Sequence, residues 1–214
     1  MSQSLEKLSL QLHIFFKSIT LHAQNLVCSK MELFLSLCLG IGLSASCGFR
    51  VFLPMFVTNI AAMNGWISPG EQFAWLTTWP AFFALGSATL LEIGGYYIPF
   101  IDNLLDTIAT PAAVVAGTLL TTSFIEIDSP VLHWGLGLIL GGGTAGLVQA
   151  GTGILRLLSS KTTAGIGNPV VSTAENVASF GLSTLAVFLP VIALALVVLL
   201  VLWLLKRLLN LKKS

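Results

Sequence analysis

Apolar residues run with few interruptions from Leu33 to Leu205, and the polar stretches between them set the expected elements. The first run, Leu33–Ala62, is 30 residues long. As one helix it would extend about 45 Å at about 1.5 Å per residue, against a hydrocarbon core of about 30 Å, so it must tilt, break or protrude. Asn64-Gly65-Trp66-Ile67-Ser68-Pro69-Gly70-Glu71 is dense in turn formers and ends it. A second span follows over about Phe73–Tyr97, with Trp66, Trp75 and Trp79 marking one interface and Tyr96 and Tyr97 the other. A third opens at Pro99 and ends near Phe124; a fourth covers about Val131–Leu158. From Ala174 to Leu205 the chain is again almost purely apolar, broken at Pro190. That stretch is either one long kinked helix or two passes separated near Phe188–Pro190, with a re-entrant segment over 170–189 as a further alternative. The expected class is all-α: a polytopic integral membrane protein of five to six transmembrane segments, packed through glycine, with room for broken or re-entrant helices.

Composition agrees with the pattern. Hydrophobic residues make up 55% of the chain and charged residues 9%, with a mean hydropathy of +0.92, whereas soluble domains carry about 25% charge. A net charge of +1 gives no basic field for nucleic acid. The charges instead suggest orientation. Lys206, Arg207, Lys212 and Lys213 place the C-terminus in the cytoplasm. With six crossings the basic N-terminus, the Arg156/Lys161 loop and the C-terminus all lie inside, and Glu71, Glu126 and Asp128 lie outside. Five crossings put one basic end on the wrong side.

Residues 1–30 read as a separate N-terminal extension. Leu5, Leu8, Leu12, Phe15 and Ile19 recur at helical spacing, as in an amphipathic helix on a membrane surface. Met31 is an alternative start. Residues 31–208 form a single transmembrane domain, and 209–214 a basic cytoplasmic tail. Cys28, Cys38 and Cys47 have no metal or CxxC spacing and read as reduced.

Candidate chemistry lies where ionisable groups interrupt apolar runs. Arg50 follows the small-residue patch Gly40, Gly42, Ser44, Ala45, Ser46 and Gly48, and such an arginine faces either a carboxylate or a wet cavity. Glu92 lies inside the second span. Asp102 and Asp106, four apart, share one helical face. Such a D-x3-D pair suits Mg²⁺, although the second acidic motif of membrane prenyltransferases is lacking. The alternative is that Asp102 caps the third span and Asp106 favours the helix's positive end. The fourth span holds two GxxxG pairs, Gly137/Gly141 and Gly142/Gly146, and closes on Arg156.

The polar stretch Lys161–Asn176 is the longest polar interruption before the final apolar run. Thr162, Thr163, Gly165, Gly167, Asn168 and Pro169 lead into Ser172-x-x-Glu175, which has the form of a capping box. The alternative is an anion site built from helix amides with Arg156 and Lys161. It is no Walker loop. Pro99-x-x-Asp102-x3-Asp106 and Pro169-x-x-Ser172-x3-Asn176 share a spacing, and the glycine-rich runs before them end in Arg50 and Arg156, a hint of internal duplication.

Four motifs in order, GLSASCGFRVFLP (42–54), LLEIGGYYIPFIDNLLDTIATP (90–111), LILGGGTAGLVQAG (138–151) and TTAGIGNPVVSTAENV (162–177), resemble the bacterial membrane proteins of domain-of-unknown-function family 4126 over residues 31–208. The resemblance implies a bacterial inner-membrane protein and no particular activity. Asn176 departs from it, since an acidic residue is expected there. Three functions remain. One is transport or flipping of a small or lipid-linked anion past Arg50, Glu92 and Asp106 to the 161–176 loop. Another is a scaffold or assembly factor with internal ion pairs. A third is a Mg²⁺-dependent lipid enzyme. Expected partners are the bilayer, the anion and a second copy of the chain; no cofactor is expected.

Overall fold

The computed structural model describes residues 29–163 and 167–211, with side chains for all of these except 99, 100, 103 and 207–211. The amphipathic reading of 1–28, the loop glycine Gly165 and the last three residues of the tail lie outside the described residues. Two units are distinguished, Met1–Leu35 and Ser36–Ser214. The described part of the first is the opening of helix α1, Ser29–Cys47; the other helices all lie in the second.

The long first run breaks. After α1, the backbone of 48–51 leaves the helix and restarts as α2, Phe52–Met63. A short 3-10 stretch, Glu71–Thr77, leads to α3, Trp79–Gly95, and α4 covers Pro99–Thr122. Next, α5 (Pro130–Leu136), a π-helical turn (Gly137–Gly142) and α6 (Gly143–Thr163) make one continuous rod. The chain ends with α7, Asn168–Phe188, and α8, Pro190–Leu211. Prolines open most of these helices: Pro80, Pro99, Pro130, Pro169 and Pro190 all fall at the first or second position. There the missing N–H is no loss and the fixed φ is already helical. Pro111 sits inside α4 without ending it.

Contacts give the helix directions. Ser44 of α1 donates to the Gly117 carbonyl and meets Thr121 of α4, while the Ser46 carbonyl accepts from Ser179 of α7. Positions 42, 46 and 50 thus pair with 186, 179 and 176, so α7 runs antiparallel to α1. A Cβ on Gly42 would touch both Ala186 and Ala193, and Val197 packs with Ala45 and Val148. Residues 186 and 193 would lie about 10 Å apart in a straight helix. The chain therefore folds back at Leu189, which leaves the helical region at φ −137°, ψ 63°. Of the alternatives for 174–205, two separate helices are found.

α1, α4, α6 and α7 form the centre with alternating directions, and α2 and α3 pair as a hairpin through Phe56, Phe82 and Gly86. One end of this bundle gathers Arg50, Arg156 and Lys161; the other gathers the loops of Glu71, Glu126 and Asp128. Glycines allow the closest approaches. A Cβ on Gly48 would lie 2.5 Å from Val148 Cβ, and one on Gly117 would lie 2.6 Å from Ala145 Cβ. The expected GxxxG pairs do pack: Gly137 and Gly141 against Thr121 and Thr122, Gly142 and Gly146 against Val114.

The polarity is inverted relative to a protein built for water. Ser44, Ser46, Ser172, Ser179 and Ser183 are fully buried, while Leu91 is 76% and Val131 81% exposed. Hydroxyls inside can hydrogen-bond backbone carbonyls, and apolar side chains outside need a lipid neighbour. Three helices are long and apolar enough to cross a membrane among the described residues, Ser29–Cys47, Leu104–Thr122 and Pro130–Thr163, with shorter apolar helices at Phe52–Met63 and Pro190–Lys206. The chain is an all-helical protein of membrane character.

Candidate functional site

Four helix ends meet at the arginine end of the bundle: the C-terminal side of α1, the start of α4, the last turns of α6 and the start of α7. Each contributes charge. Arg156 is buried and reached by three carboxylates. Its Nη1 donates to Asp102 Oδ1 at 2.5 Å and lies 3.4 Å from Asp106 Oδ1. Its Nε donates to Glu175 Oε1 at 3.0 Å, and its Nη2 bonds Glu175 Oε2 and Ser172 Oγ. A single guanidinium thus holds α4 and α7 to α6.

Arg50 occupies the break between α1 and α2, fully buried, with a different set of partners. Its Nε donates to Asn176 Oδ1 at 2.5 Å and its Nη2 to the Ser172 carbonyl at 3.1 Å, and Glu175 Oε2 lies 3.4 Å away. Its Nη1 is buried with no hydrogen-bond partner. Asn176, which departs from the acidic residue expected there, still serves the arginine as an acceptor. Both guanidiniums lie over the Tyr96 ring, at 3.8 Å and 4.2 Å from its centroid. The ring is 5% exposed, so Tyr96 belongs to the charge cluster and not to an interfacial belt; Tyr97 does reach the surface.

Glu92 plays a distinct part. The N-cap of α2, Val51, has no side chain able to accept from the helix amides. Glu92, from α3, accepts instead from the Val51 and Phe52 N–H groups at 2.7 Å and 3.0 Å. A carboxylate at that position satisfies orphan donors and complements the positive helix end. It forms no ion pair within 4.0 Å of either arginine among the described residues.

The capping box is not formed. α7 begins at Asn168, so Ser172 and Glu175 are about one and two turns inside it and point to Arg156. Pro169, in the first turn, was the signal for the earlier start. Asp102 does fall in the first turn of α4, but its carboxylate turns to Arg156 and accepts from Asn168 Nδ2 at 3.2 Å. Both carboxylates of the D-x3-D pair face a guanidinium, an arrangement for an ion pair and not for Mg²⁺. Among the described residues no group of three His, Cys, Asp or Glu side chains is placed to hold a metal. Lys161 is exposed, Thr162 donates back to Leu158, and Thr163 donates to Ser159 and accepts from the Gly167 N–H. These three close the end of α6 and do not join the cluster. The duplicated spacing, however, has a counterpart in space: Asp102 and Ser172 both reach Arg156, and Asp106 and Asn176 each reach an arginine.

Two clefts adjoin the cluster. An apolar one of about 620 Å³ lies between α3 and α4, lined by residues such as Leu91, Ile101 and Leu105, with Glu92 and Tyr96 in its wall. A polar one of about 280 Å³ lies between α4, α6 and the start of α7. Asp106, Thr110, Gln149, Gly153, Arg156 and Asn168 face it. Gln149 was missed from the sequence, although Gln149, Gly153 and Arg156 at i, i+4 and i+7 share one helical face. No curated protein and no solved structure matches the chain. The family profile of DUF4126, a domain of unknown function, matches residues 37–210, so the chain belongs to that family.

Proposed function

We propose that this membrane protein transports a small or lipid-linked anion, admitted through the polar cleft to Arg156. The observation that carries this reading is the loose pairing of Asp106. Of the three carboxylates on Arg156 it is the farthest, at 3.4 Å, and the most exposed, at 31%. Arg156 itself lines the cleft. An anion entering there can take the place of Asp106 at the guanidinium, while Asp102 and Glu175 keep the arginine aimed. Release follows when Asp106 returns.

Orientation follows from charge. Lys161 and Lys206 belong to the ends of α6 and α8, which run the same way, so the positive-inside rule turns the arginine end and the C-terminus to the cytoplasm of a bacterial inner membrane. In this arrangement residue 36, at the far end of α1, faces outward, whereas six crossings would put both chain ends inside. α2, with 12 residues, spans about 18 Å and does not cross alone.

The scaffold reading has an observation of its own: the cluster ties four helices together, which is what internal ion pairs in a purely structural bundle would do. Proteoliposomes separate the two. Uptake of inorganic phosphate and of a short-chain phosphatidate is measured for wild type and Asp106→Asn. Transport requires flux in the wild type and its loss in a variant that still folds, because the vacated arginine then retains the anion. A scaffold shows no flux in either.

A further inference from the structure

Three carboxylates, Asp102, Asp106 and Glu175, share two guanidiniums, so the cluster holds one more negative charge than positive. The surplus can be located. Asp102 and Glu175 pair closely with Arg156, and Glu175 also serves Arg50. Asp106 is left at 3.4 Å, and its Oδ1 accepts no hydrogen bond. A partly buried carboxylate without full compensation is costly in a membrane protein unless a proton or a cation joins it.

Gln149 points to the same place independently. It is 7% exposed and lines the polar cleft, and among the described residues only its backbone carbonyl, not its carboxamide, is seen to hydrogen-bond a side chain. A buried amide that faces a cavity without a protein partner is either hydrated or ligated. Its carbonyl oxygen, from α6, and the Asp106 carboxylate and Thr110 hydroxyl, from α4, are hard oxygen donors lining the same cleft.

We infer that the polar cleft binds a small monovalent cation between the Asp106 carboxylate and the Gln149 carbonyl oxygen. A single surplus charge with neutral oxygens around it matches a monovalent ion, whereas a divalent ion calls for more carboxylates than the cleft presents. At about 280 Å³ the cleft has room for waters to complete the coordination. This inference deepens the transport proposal by supplying its companion ion: when an anion displaces Asp106 from Arg156, the cation stays with the freed carboxylate.

Binding is measured on the detergent-purified full chain by equilibrium uptake of radioactive sodium, with potassium and lithium as competitors and choline as the replacement salt. The wild type binds saturably, at roughly one ion per chain. Asp106→Asn abolishes binding, Gln149→Leu weakens it by at least about tenfold, and Glu71→Gln, at the opposite end, leaves it unchanged. Should Asp106→Asn fail to fold, Gln149→Leu carries the test. No saturable alkali-ion binding in the wild type, or equal binding in a folded Asp106→Asn, overturns the inference. Sodium binding without anion flux retains this site and removes the transport proposal; flux without sodium binding does the reverse.

Discussion

Arg50 and Arg156 each follow a glycine-rich stretch, both are buried, and both lie over Tyr96, yet their surroundings differ. Arg156 meets three carboxylates and faces a polar cleft. Arg50 is held mainly by an amide oxygen and a backbone carbonyl, shares one carboxylate, and lines neither cleft. The first is an ionic hub with one loose partner; the second is a lock across the break in α1–α2. Two arginines that look equivalent in the sequence are thus divided between an ionic hub and an architectural lock by what faces them.

The largest effect comes from breaking the hub. Arg156→Ala leaves Asp102 and Glu175 buried with little compensation, a loss of about 3–5 kcal/mol, read as a large fall in thermal unfolding temperature in detergent. Arg50→Ala leaves Glu175 still paired with Arg156, and strands only an amide and a carbonyl; a smaller loss of about 1–3 kcal/mol is expected in the same assay. If Arg50→Ala is the worse of the two, the division is wrong. Gly48→Ala tests the packing that brings the arginines together, because its Cβ would press on Val148 and the Ala145 carbonyl. It is expected to cost about 1–3 kcal/mol, whereas Gly153→Ala, with open space around it, should be neutral or slightly stabilising. Glu92→Gln removes the negative charge from the start of α2 while keeping its shape, for about 1 kcal/mol.

The contrast also marks where the sequence was legible. Apolar run lengths and turn formers located the helices, and of the tilt, break or protrusion that the excess length of 33–62 allowed, the structure has the break in which Arg50 sits. Proline at 190 separated α7 from α8 because it opens a helix as readily as it ends one. An arginine inside an apolar run calls for a carboxylate or a wet cavity, but the carboxylate partner of Arg50, Glu175, is 125 positions away, and no local spacing identifies such a contact. Ser172-x-x-Glu175 misled for a related reason: a capping box and a helical face both place residues three apart. Only the position of Pro169 distinguishes them. Tyr96 looked interfacial beside Tyr97, although neighbouring residues on a helix end point in different directions, one into the cluster and one out. Glu92 stands out in the sequence as a charge inside an apolar run; that it caps a helix 40 positions earlier depends on how α2 and α3 pack.

The two aspartates of α4 test the account most directly, since the sequence treats them alike and the cluster does not. Asp102→Asn and Asp106→Asn are compared by thermal unfolding of the purified protein. Asp102 is buried and bonds Arg156 at 2.5 Å, so its substitution should cost about 2–4 kcal/mol. Asp106 is a third exposed and loosely paired, and its substitution should change stability by less than about 1 kcal/mol. Equal losses, or a greater loss at Asp106, would show that both carboxylates are structural and that Arg156 has no partner to give up.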